Sequence, residues 1–194
     1  MQQSHFYAML GRMKYITRWG LMRNSSQETL SEHTLEVAVI THALVVVHNQ
    51  QAGAPIDPGE AVLYALYHDT SEILTGDLPT PVKYHNPGIK NAYKQVEREA
   101  REKLVGMLPP EMQPHYGQYM NVKNASERVQ QLVKAADKLS ALMKCMEEEK
   151  MGNREFVQAR KTLRDALEAM DLQEVKVFMR DFLPSYALTL DELE

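Results

Sequence analysis

The sequence of 194 residues lacks the features that mark secreted, fibrous or membrane-spanning chains. Its single cysteine, Cys145, cannot form an intramolecular disulfide, which excludes a disulfide-stabilised scaffold. Glycine and proline, nine of each, are too sparse for a collagen-like or low-complexity chain. The longest apolar run, residues 37–47, is interrupted by Thr41 and His42 and is too short to cross a bilayer. The N-terminus shows no secretory signal pattern, so we expect a cytoplasmic protein without a membrane partner.

The composition is instead that of a globular domain with a substantial core. Hydrophobic residues make up 44% of the chain and charged residues 25%. The net charge of −4 hides an asymmetry, because residues 1–27 contain four basic side chains and no acidic one. Because the rest of the chain is acidic, this charge pattern argues against binding of a nucleic-acid polymer. It favours a small cationic pocket for an anionic ligand. A solvated basic surface is the simpler alternative at this point.

Helical periodicity dominates the sequence, and strand-like alternation is hard to find. We expect helices at about residues 2–14, 31–51, 59–74, 89–107, shortly after Pro110, 126–151, 154–169 and 171–182. Ser31 and Ser126 are the capping residues that we expect for the two longest helices. No internal repeat or linker divides the chain, so the sequence predicts an all-α protein with one domain over residues 1–194.

A histidine lies on the apolar stripe of the second predicted helix. His33 shares this stripe with Val37, Ile40 and Leu44 at helical spacing. A buried imidazole needs partners for both ring nitrogens. A hydrogen-bonded core histidine is the simpler interpretation of this residue alone, and a metal ligand is the other.

Three ionisable residues lie together near the end of the third predicted helix. His68 is expected on the same helix face as Glu72, and Asp69 is expected about 100° around the helix from His68. A polar cap at a helix terminus explains one such group easily and three poorly.

An aspartate lies beside the apolar stripe of the long helix that begins near Ser126. Asp137 is expected next to Val133 and Ser140, where a buried carboxylate needs a compensating cation. An ordinary salt bridge is one source of that cation, and a metal ion is the other.

These residues form a set of two imidazoles and two carboxylates: His33, His68, Asp69 and Asp137. A divalent metal ion would satisfy all four at once, and mixed nitrogen and oxygen ligands suit Mn²⁺, Fe²⁺, Co²⁺ or Zn²⁺. Four protein ligands leave octahedral positions open for water and a substrate oxygen. The pattern therefore predicts a metal-dependent hydrolase.

The order of a histidine, a later His-Asp pair and a distal aspartate resembles the signature of the HD-domain phosphohydrolase superfamily. Other segments sharpen the resemblance, namely Arg18-Trp19, the Ser-Glu-His run at 31–33, YHDTSEILTGDLPTPVKY at 67–84 and KAADKLSALMKC at 134–145. With these segments the sequence resembles the YfbR-type 5′-deoxynucleotidases, a bacterial family within that superfamily. The similarity extends over nearly the whole chain.

The resemblance implies an all-α helical bundle, a single HD domain, that forms a homodimer. It implies metal-assisted hydrolysis of deoxyribonucleoside 5′-monophosphates, namely dAMP, dTMP, dGMP, dCMP and dUMP, to deoxynucleosides and phosphate. The implied metal ions are Co²⁺ and Mn²⁺, with Mg²⁺, Zn²⁺ and Cu²⁺ as further candidates.

The resemblance also implies a role for each matching residue. The implied metal ligands are His33, His68, Asp69 and Asp137. The implied catalytic residues are Glu72, which acts as acid or base, Arg18, which orients the phosphate, and Asp77, which helps to bind the sugar. The implied substrate-binding residues are Arg18, Trp19, His33, Asp69, Asp77, Leu78, Pro79 and Thr80. Trp19 would shape the sugar and base pocket, and the 77–80 loop would close it.

Three other functions stay open on the sequence alone. One is an HD-type hydrolase acting on triphosphate, cyclic or signalling nucleotides. Another is a non-catalytic helical module that binds a nucleotide or metal, although such modules typically lack the ligand set. The third is a purely structural helical dimer, which leaves the polar cluster unexplained. We expect no nucleophilic role for Cys145, which we place on the polar side of its helix.

Overall fold

A computed structural model of the protein describes residues 3–51, 54–83 and 85–193, apart from the side chain of Thr80. Within these residues the regular structure is helical, and the one strand-like contact is an isolated bridge between Thr17 and Thr29. The α-helices are α1 Phe6–Leu10, α2 Leu30–Gln50, α3 Pro58–Tyr67, α4 Glu72–Thr75, α5 Thr80–Lys83, α6 Pro87–Val105, α7 Gln113–Tyr119, α8 Glu127–Lys150, α9 Val157–Glu168 and α10 Gln173–Asp181. Short 3₁₀ helices cover Gly11–Tyr15, Val122–Asn124, Arg154–Phe156, Leu183–Ala187 and Leu190–Glu192. The prediction of an all-α fold is confirmed.

The two longest helices, α2 and α8, form the centre of the molecule. Helix α2 packs against α3 and α8, and α8 also packs against α9. Leu44, Leu132 and Leu139 are fully buried in the main core, where each such side chain contributes about 1.5–3 kcal/mol. A second core cluster, which includes Phe6 and Leu30, lies under the N-terminal segment. The helices that carry His33 and Asp137 are therefore held rigidly against each other.

The N-cap of helix α2 lies two residues earlier than the sequence predicts. Thr29, not Ser31, is the N-cap, and it forms a capping box with Glu32. The Thr29 hydroxyl accepts from the Glu32 backbone N–H, and the Glu32 carboxylate accepts from the Thr29 N–H. The predicted cap of α8 is confirmed, because Ser126 accepts from the Val129 N–H.

The predicted continuous helix over residues 59–74 is wrong, because α3 ends at Tyr67 and α4 begins at Glu72. Side chains compete with the helix for the backbone carbonyls at this point. His68 Nδ1 lies 2.7 Å from the Ala65 carbonyl oxygen, and the Thr70 hydroxyl donates to the Tyr67 carbonyl at 2.8 Å. The His-Asp pair therefore lies in a turn between two helices rather than on a helix face.

Two other regions of the chain, at the N-terminus and after residue 76, differ from the predicted helices. The first helix is shorter than residues 2–14: α1 is followed by the 3₁₀ helix Gly11–Tyr15, and residue 2 lies outside the described residues. The segment between the helices predicted at 59–74 and 89–107 is not without regular structure, because it contains the short helix α5. Cys145 is buried rather than on a polar surface, and burial raises the pKa of its thiol to about 12. The thiol is therefore protonated at neutral pH, consistent with no nucleophilic role.

Helix α2 is apolar on several faces, and its sequence therefore predicts a largely buried helix, but the structure leaves one of these faces exposed. Leu35 and Val39 are 63% and 62% exposed, and Val46 is 38% exposed. By length and composition this helix could cross a membrane, but half of its most apolar window is buried inside the protein. One apolar stripe of α2 therefore belongs to the core, and a second, defined by Leu35, Val39 and Val46, faces outward.

Candidate metal centre

The four predicted metal ligands converge from three parts of the chain. His33 comes from the first turn of α2, His68 and Asp69 from the turn after α3, and Asp137 from the middle of α8. Asp69 Oδ2 lies 3.0 Å from His68 Nε2 and 3.7 Å from His33 Nε2. Asp137 Oδ1 lies 3.3 Å from His33 Nε2. Ligand atoms of His33, His68 and Asp69 all lie within 4.8 Å of one another, whereas Asp137 is outside this group and approaches it at His33.

The hydrogen bonds around the two imidazoles leave their Nε2 atoms free for a cation. The Ala65 carbonyl can only accept a hydrogen bond, so His68 Nδ1 carries the ring hydrogen. In the neutral ring, Nε2 therefore has the free lone pair. His33 Nδ1 lies 2.9 Å from Ser140 Oγ. Both Nε2 atoms are buried and, among the described residues, have no hydrogen-bond partner. Lone pairs that face carboxylates repel them unless a cation lies between, and this donor set fits a divalent metal ion.

The shifted pKa values of the cluster also indicate that a positive charge is favourable at this position. Burial lowers the pKa of His68, but the adjacent Asp69 carboxylate outweighs burial and raises that pKa to about 9. Burial raises the pKa of Asp69, but His68, His33 and Arg18 hold it well below its ordinary value. The pKa of Asp137 is also lowered, because His33 counteracts its burial. Both carboxyl groups are therefore ionised at neutral pH and available as ligands.

Arg18 is fixed beside this cluster by two carboxylates. Its Nε donates to Glu28 Oε2 at 3.1 Å, and its Nη1 lies 3.6 Å from Asp69 Oδ2. Burial lowers the pKa of Arg18, but Asp69, Asp137 and Glu28 together raise it above its ordinary value. The permanently charged guanidinium group of Arg18 therefore lies next to the candidate ligands, where its N–H donors can bind an anion.

Trp19 is held in an unusual backbone conformation. Its φ of 60° is in the left-handed region, which a bulky residue occupies at a cost of about 1–3 kcal/mol. Its backbone N–H donates to Asp77 Oδ2 at 3.2 Å, and its indole Nε1 donates to Glu28 Oε2 at 2.8 Å. The indole ring also packs on Phe156, with 5.3 Å between ring centroids. These contacts fix a flat aromatic surface next to Arg18.

Glu72 is the first residue of α4 and is almost completely buried, at 6% exposure. Its Oε2 atom has no hydrogen-bond partner among the described residues. Burial, reinforced by the negative charges of Asp69 and Asp77, raises the pKa of Glu72 to about 9. A buried carboxyl group with a raised pKa can hold a proton at neutral pH, as a general acid requires.

The 77–80 loop begins at a sharp change of chain direction. Gly76 has a φ of 72°, which favours glycine. Asp77, Leu78 and Pro79 follow it and are half-buried, while the side chain of Thr80 lies outside the described part of the structure. Because Asp77 accepts from the Trp19 N–H, the loop is linked directly to the segment that carries Arg18 and Trp19.

Several residues that support the site have no signal in the sequence pattern. Glu28 orients both Arg18 and Trp19, and only its place as the first acidic residue after a basic segment distinguishes it. Lys144 and Glu148 form a buried ion pair at 2.5 Å, although their spacing of four residues is typical of exposed helix surfaces. Their burial depends on long-range packing, which spacing does not reveal.

Comparisons of sequence place this chain among proteins of one family. The profile of the family described as 5′-deoxynucleotidase YfbR-like matches residues 5–186. A protein named 5′-deoxynucleotidase from Vibrio cholerae is 46% identical over 193 residues, which covers 100% of both chains. One from Yersinia pseudotuberculosis is 46% identical over 190 residues, covering 98% of this chain and 96% of the other.

Solved structures show the same fold at lower sequence identity. An HD-domain phosphohydrolase from Listeria innocua has a TM-score of 0.81 at 24% identity, covering 94% of this chain and 88% of the other. A cyanophage S-2L HD phosphohydrolase, bound to dA and one catalytic Zn²⁺ ion, has a TM-score of 0.65 at 21% identity, covering 97% and 100%. The chain thus has the all-helical fold of the HD-domain phosphohydrolases, and it belongs to the 5′-deoxynucleotidase YfbR-like family.

Proposed function

We propose that this protein is a metal-dependent 5′-deoxynucleotidase, a single HD domain over residues 1–194. It hydrolyses deoxyribonucleoside 5′-monophosphates to deoxynucleosides and inorganic phosphate. The observation that carries the proposal is the close cluster of His33, His68 and Asp69, with Asp137 beside His33 and Arg18 beside Asp69. The names of the full-length relatives support the substrate class, and the dA and catalytic Zn²⁺ of the cyanophage protein support a metal-assisted reaction.

The proposed metal ligands are His33, His68, Asp69 and Asp137. When bound there, a divalent ion would neutralise charge on the phosphate and lower the pKa of a water molecule. Co²⁺ and Mn²⁺ are our first candidates, and Mg²⁺, Zn²⁺ and Cu²⁺ are the further ions to compare.

Arg18 is the proposed phosphate-orienting residue. Its Nε is engaged by Glu28 and its Nη1 faces Asp69, so the guanidinium plane is fixed before substrate arrives. The remaining N–H donors of the guanidinium group can bind phosphate oxygens and neutralise the negative charge that develops during the reaction. A pre-oriented donor of this kind needs no reorganisation in the transition state, which is its contribution to the rate.

Glu72 is the proposed acid/base residue. Its unpartnered Oε2 is free to exchange a proton with the reacting groups. The protonated carboxyl group can donate to the leaving 5′-oxygen of the nucleotide, and the ionised group can accept a proton from the attacking water. Its raised pKa makes a proton available at neutral pH.

The sugar and base are proposed to lie between Trp19 and the 77–80 loop. The Trp19 ring supplies a flat apolar wall, and such a wall can exclude a 2′-hydroxyl group. Asp77 is proposed to help bind the sugar and also holds the Trp19 backbone. Leu78, Pro79 and Thr80, together with His33 and Asp69, complete the proposed substrate-binding set.

We further propose a cytoplasmic homodimer with no membrane or nucleic-acid polymer as partner. The outward apolar stripe of α2, at Leu35, Val39 and Val46, supports the dimer, because a second protein surface that covers it would remove these side chains from water. The net charge of −4 is unfavourable for a long polyanion. Sedimentation equilibrium measures the assembly, and a monomer at micromolar concentration would contradict the dimer.

A substrate panel tests the proposed reaction against the other HD-type hydrolases. Metal-loaded protein is incubated with dAMP, dTMP, AMP, a deoxynucleoside triphosphate and a cyclic nucleotide, and the products are separated. We expect inorganic phosphate and a deoxynucleoside from dAMP and dTMP. Release of pyrophosphate or triphosphate, or ring opening of the cyclic nucleotide as the main reaction, would overturn the proposed substrate class.

A further inference from the structure

A chain of hydrogen bonds leads from His33 away from the proposed metal position. His33 Nδ1 lies 2.9 Å from Ser140 Oγ, and the Ser140 hydroxyl donates to Glu36 Oε2 at 2.6 Å. His33 and Ser140 are buried, at 1% and 0% exposure, while Glu36 is half-buried. Since His33 and Glu36 lie on α2 and Ser140 lies on α8, the chain links the two central helices.

The direction of these hydrogen bonds follows from how many protons are present. A serine hydroxyl has one hydrogen, and Ser140 donates it to the Glu36 carboxylate. The Ser140 oxygen can then only accept from His33, so His33 Nδ1 carries the ring hydrogen. In the neutral ring the lone pair is consequently on Nε2, the atom that lies 3.3 Å from Asp137 Oδ1.

We propose that Ser140 and Glu36 are positioning residues that fix the tautomer and ring orientation of His33 for metal binding. The inference rests on the proposed function, because it assumes that His33 is a metal ligand. Partners that bind the outer nitrogen of a ligating imidazole fix its tautomer and increase its basicity. For His68 the same role falls to the backbone carbonyl of Ala65, which no side-chain substitution removes. The His33 side of the centre therefore depends on two side chains that can be changed singly.

The surroundings of Glu36 set the conditions for a test. Glu36 lines a polar cavity of about 220 Å³ together with Glu28, Lys144 and Glu147. Burial raises the pKa of Glu36 to about 7, while the Ser140 hydrogen bond opposes that rise. Measurements at pH 8 keep this carboxyl group mainly ionised and therefore an acceptor only.

The first test compares the dissociation constant of Co²⁺ at pH 8 among Ser140→Ala, Glu36→Gln and the double variant. We expect Ser140→Ala to weaken binding about tenfold or more. Glu36→Gln should weaken binding less, because its amide oxygen can still accept from Ser140. Glu36 acts only through Ser140, so the double variant should bind Co²⁺ no more weakly than Ser140→Ala alone.

Thr41→Val is the matched control for these variants. It removes a buried hydroxyl from the same helix, and that hydroxyl has no hydrogen-bond partner among the described residues. Thr41 lies about 12 Å along the helix axis from His33, since eight residues separate them. Circular dichroism confirms folding of each variant, and Co²⁺ affinity of Thr41→Val should equal that of the wild type.

A spectroscopic readout separates positioning from general structural support. In Zn²⁺-loaded protein with ¹⁵N-labelled histidine, the His33 Nδ1–H proton should resonate downfield because it donates to Ser140. Ser140→Ala should move this signal upfield and speed its exchange with water, while the His68 signal stays in place.

The outcomes distinguish this inference from the proposed function. A wild type that binds neither Co²⁺ nor Zn²⁺ would overturn the metal centre itself. A wild type that binds Co²⁺, with Ser140→Ala binding within twofold of it, would overturn only the positioning role. Fully additive effects in the double variant would also overturn that role, because Glu36 would then act independently of Ser140.

Discussion

Glu28 accepts hydrogen bonds from both Arg18 Nε and Trp19 Nε1, so one buried carboxylate orients two side chains proposed to face the substrate. The same oxygen, Oε2, receives both bonds, which places the guanidinium and the indole edge within one small polar cluster. Asp77 adds a bond to the Trp19 backbone. Glu28 and Asp77, two carboxylates outside the proposed metal set, therefore hold the substrate side of the site, and Asp69 of that set is a further contact of Arg18.

Replacement of the buried carboxyl at position 72 tests its proposed proton-transfer role. Glu72→Gln should lower kcat for dAMP by roughly 10²–10⁴-fold, because an amide cannot exchange a proton with the reacting groups. Co²⁺ affinity and nucleotide binding should stay close to those of the wild type, measured by calorimetry. Glu60→Gln on α3 is the control, and a Glu72→Gln enzyme with wild-type turnover would remove this residue from the mechanism.

Removal of the Trp19 side chain tests whether its ring excludes the 2′-hydroxyl group of a ribonucleotide. Trp19→Ala should reduce the ratio of kcat/KM for dAMP over AMP by roughly tenfold to a hundredfold, because a hydroxyl can then be accommodated. Trp19→Phe, which keeps a flat ring but loses the bond to Glu28, should retain more of the preference. Tyr15→Ala removes an exposed aromatic nearby in sequence and serves as control. An unchanged dAMP preference in Trp19→Ala would assign sugar selection elsewhere.

The identities of the central residues could be predicted from the sequence, but their supporting contacts could not. His33 and Asp137 are anomalous because each is a polar group beside an apolar helical stripe. Ser140, by contrast, looks like an ordinary small residue on α8, and its bond to His33 spans 107 positions in the sequence. Contacts of that range depend on how α2 and α8 pack, which local spacing does not encode.

At the scale of secondary structure elements, the segment between the first 3₁₀ helix and α2 is anchored to α8. Glu148 Oε2 and Oε1 accept from the backbone N–H groups of Ser25 and Ser26 at 2.8 and 3.1 Å. Lys144 pairs with Glu148 and also donates to the Ser26 carbonyl. This buried ion pair ties the irregular segment that carries Arg18 to a rigid helix.

Removal of the Glu148 charge should therefore destabilise the protein. Glu148→Gln leaves the buried Lys144 without its counter-charge, and breaking a buried pair in this way costs about 3–5 kcal/mol. Chemical denaturation at pH 7 measures the free energy of unfolding. Glu147→Gln, at an exposed neighbouring position, should change it by less than about 0.5 kcal/mol. A Glu148→Gln protein as stable as that control would contradict the anchoring role.

The stabilisation by Glu148 should also depend on pH in a defined direction. Burial raises its pKa, but hydrogen bonds from Lys144, Ser25 and Asn153 outweigh burial and lower the pKa from 4.5 to about 2. A depressed pKa contributes stability above the unfolded value of 4.5, and that contribution is lost as pH falls through 2. The stability difference between wild type and Glu148→Gln should therefore be constant above pH 4.5 and shrink toward pH 2.

The elements themselves could be predicted where periodicity is long and caps are local. Helix α8 begins after Ser126 as expected, whereas the helix predicted over residues 59–74 is interrupted. The interruption arises because His68 and Thr70 side chains take carbonyls that the helix would use. It also sets the place of the His-Asp pair, which a continuous helix would have put elsewhere.

At the scale of the whole molecule, the fold supplies rigidity where the proposed chemistry needs it. Helices α2 and α8 bury one continuous core between them. They also bring His33, in the first turn of α2, to within 3.3 Å of Asp137, in the middle of α8. The all-α character could be predicted from composition and periodicity, while a single domain over residues 1–194 stays a prediction. The outward stripe of α2 could not, because an apolar helix that is half exposed has the same sequence pattern as a buried one.

Dependence of phosphate release on a divalent ion is the most direct test of the central claim. The wild type is stripped with a chelator, shown to be metal-free by elemental analysis, and assayed with dAMP before and after addition of Co²⁺ or Mn²⁺. We predict loss of activity on stripping and its return with the ion, and no return in His68→Ala. Undiminished hydrolysis of dAMP by the metal-free wild type would contradict the metal centre.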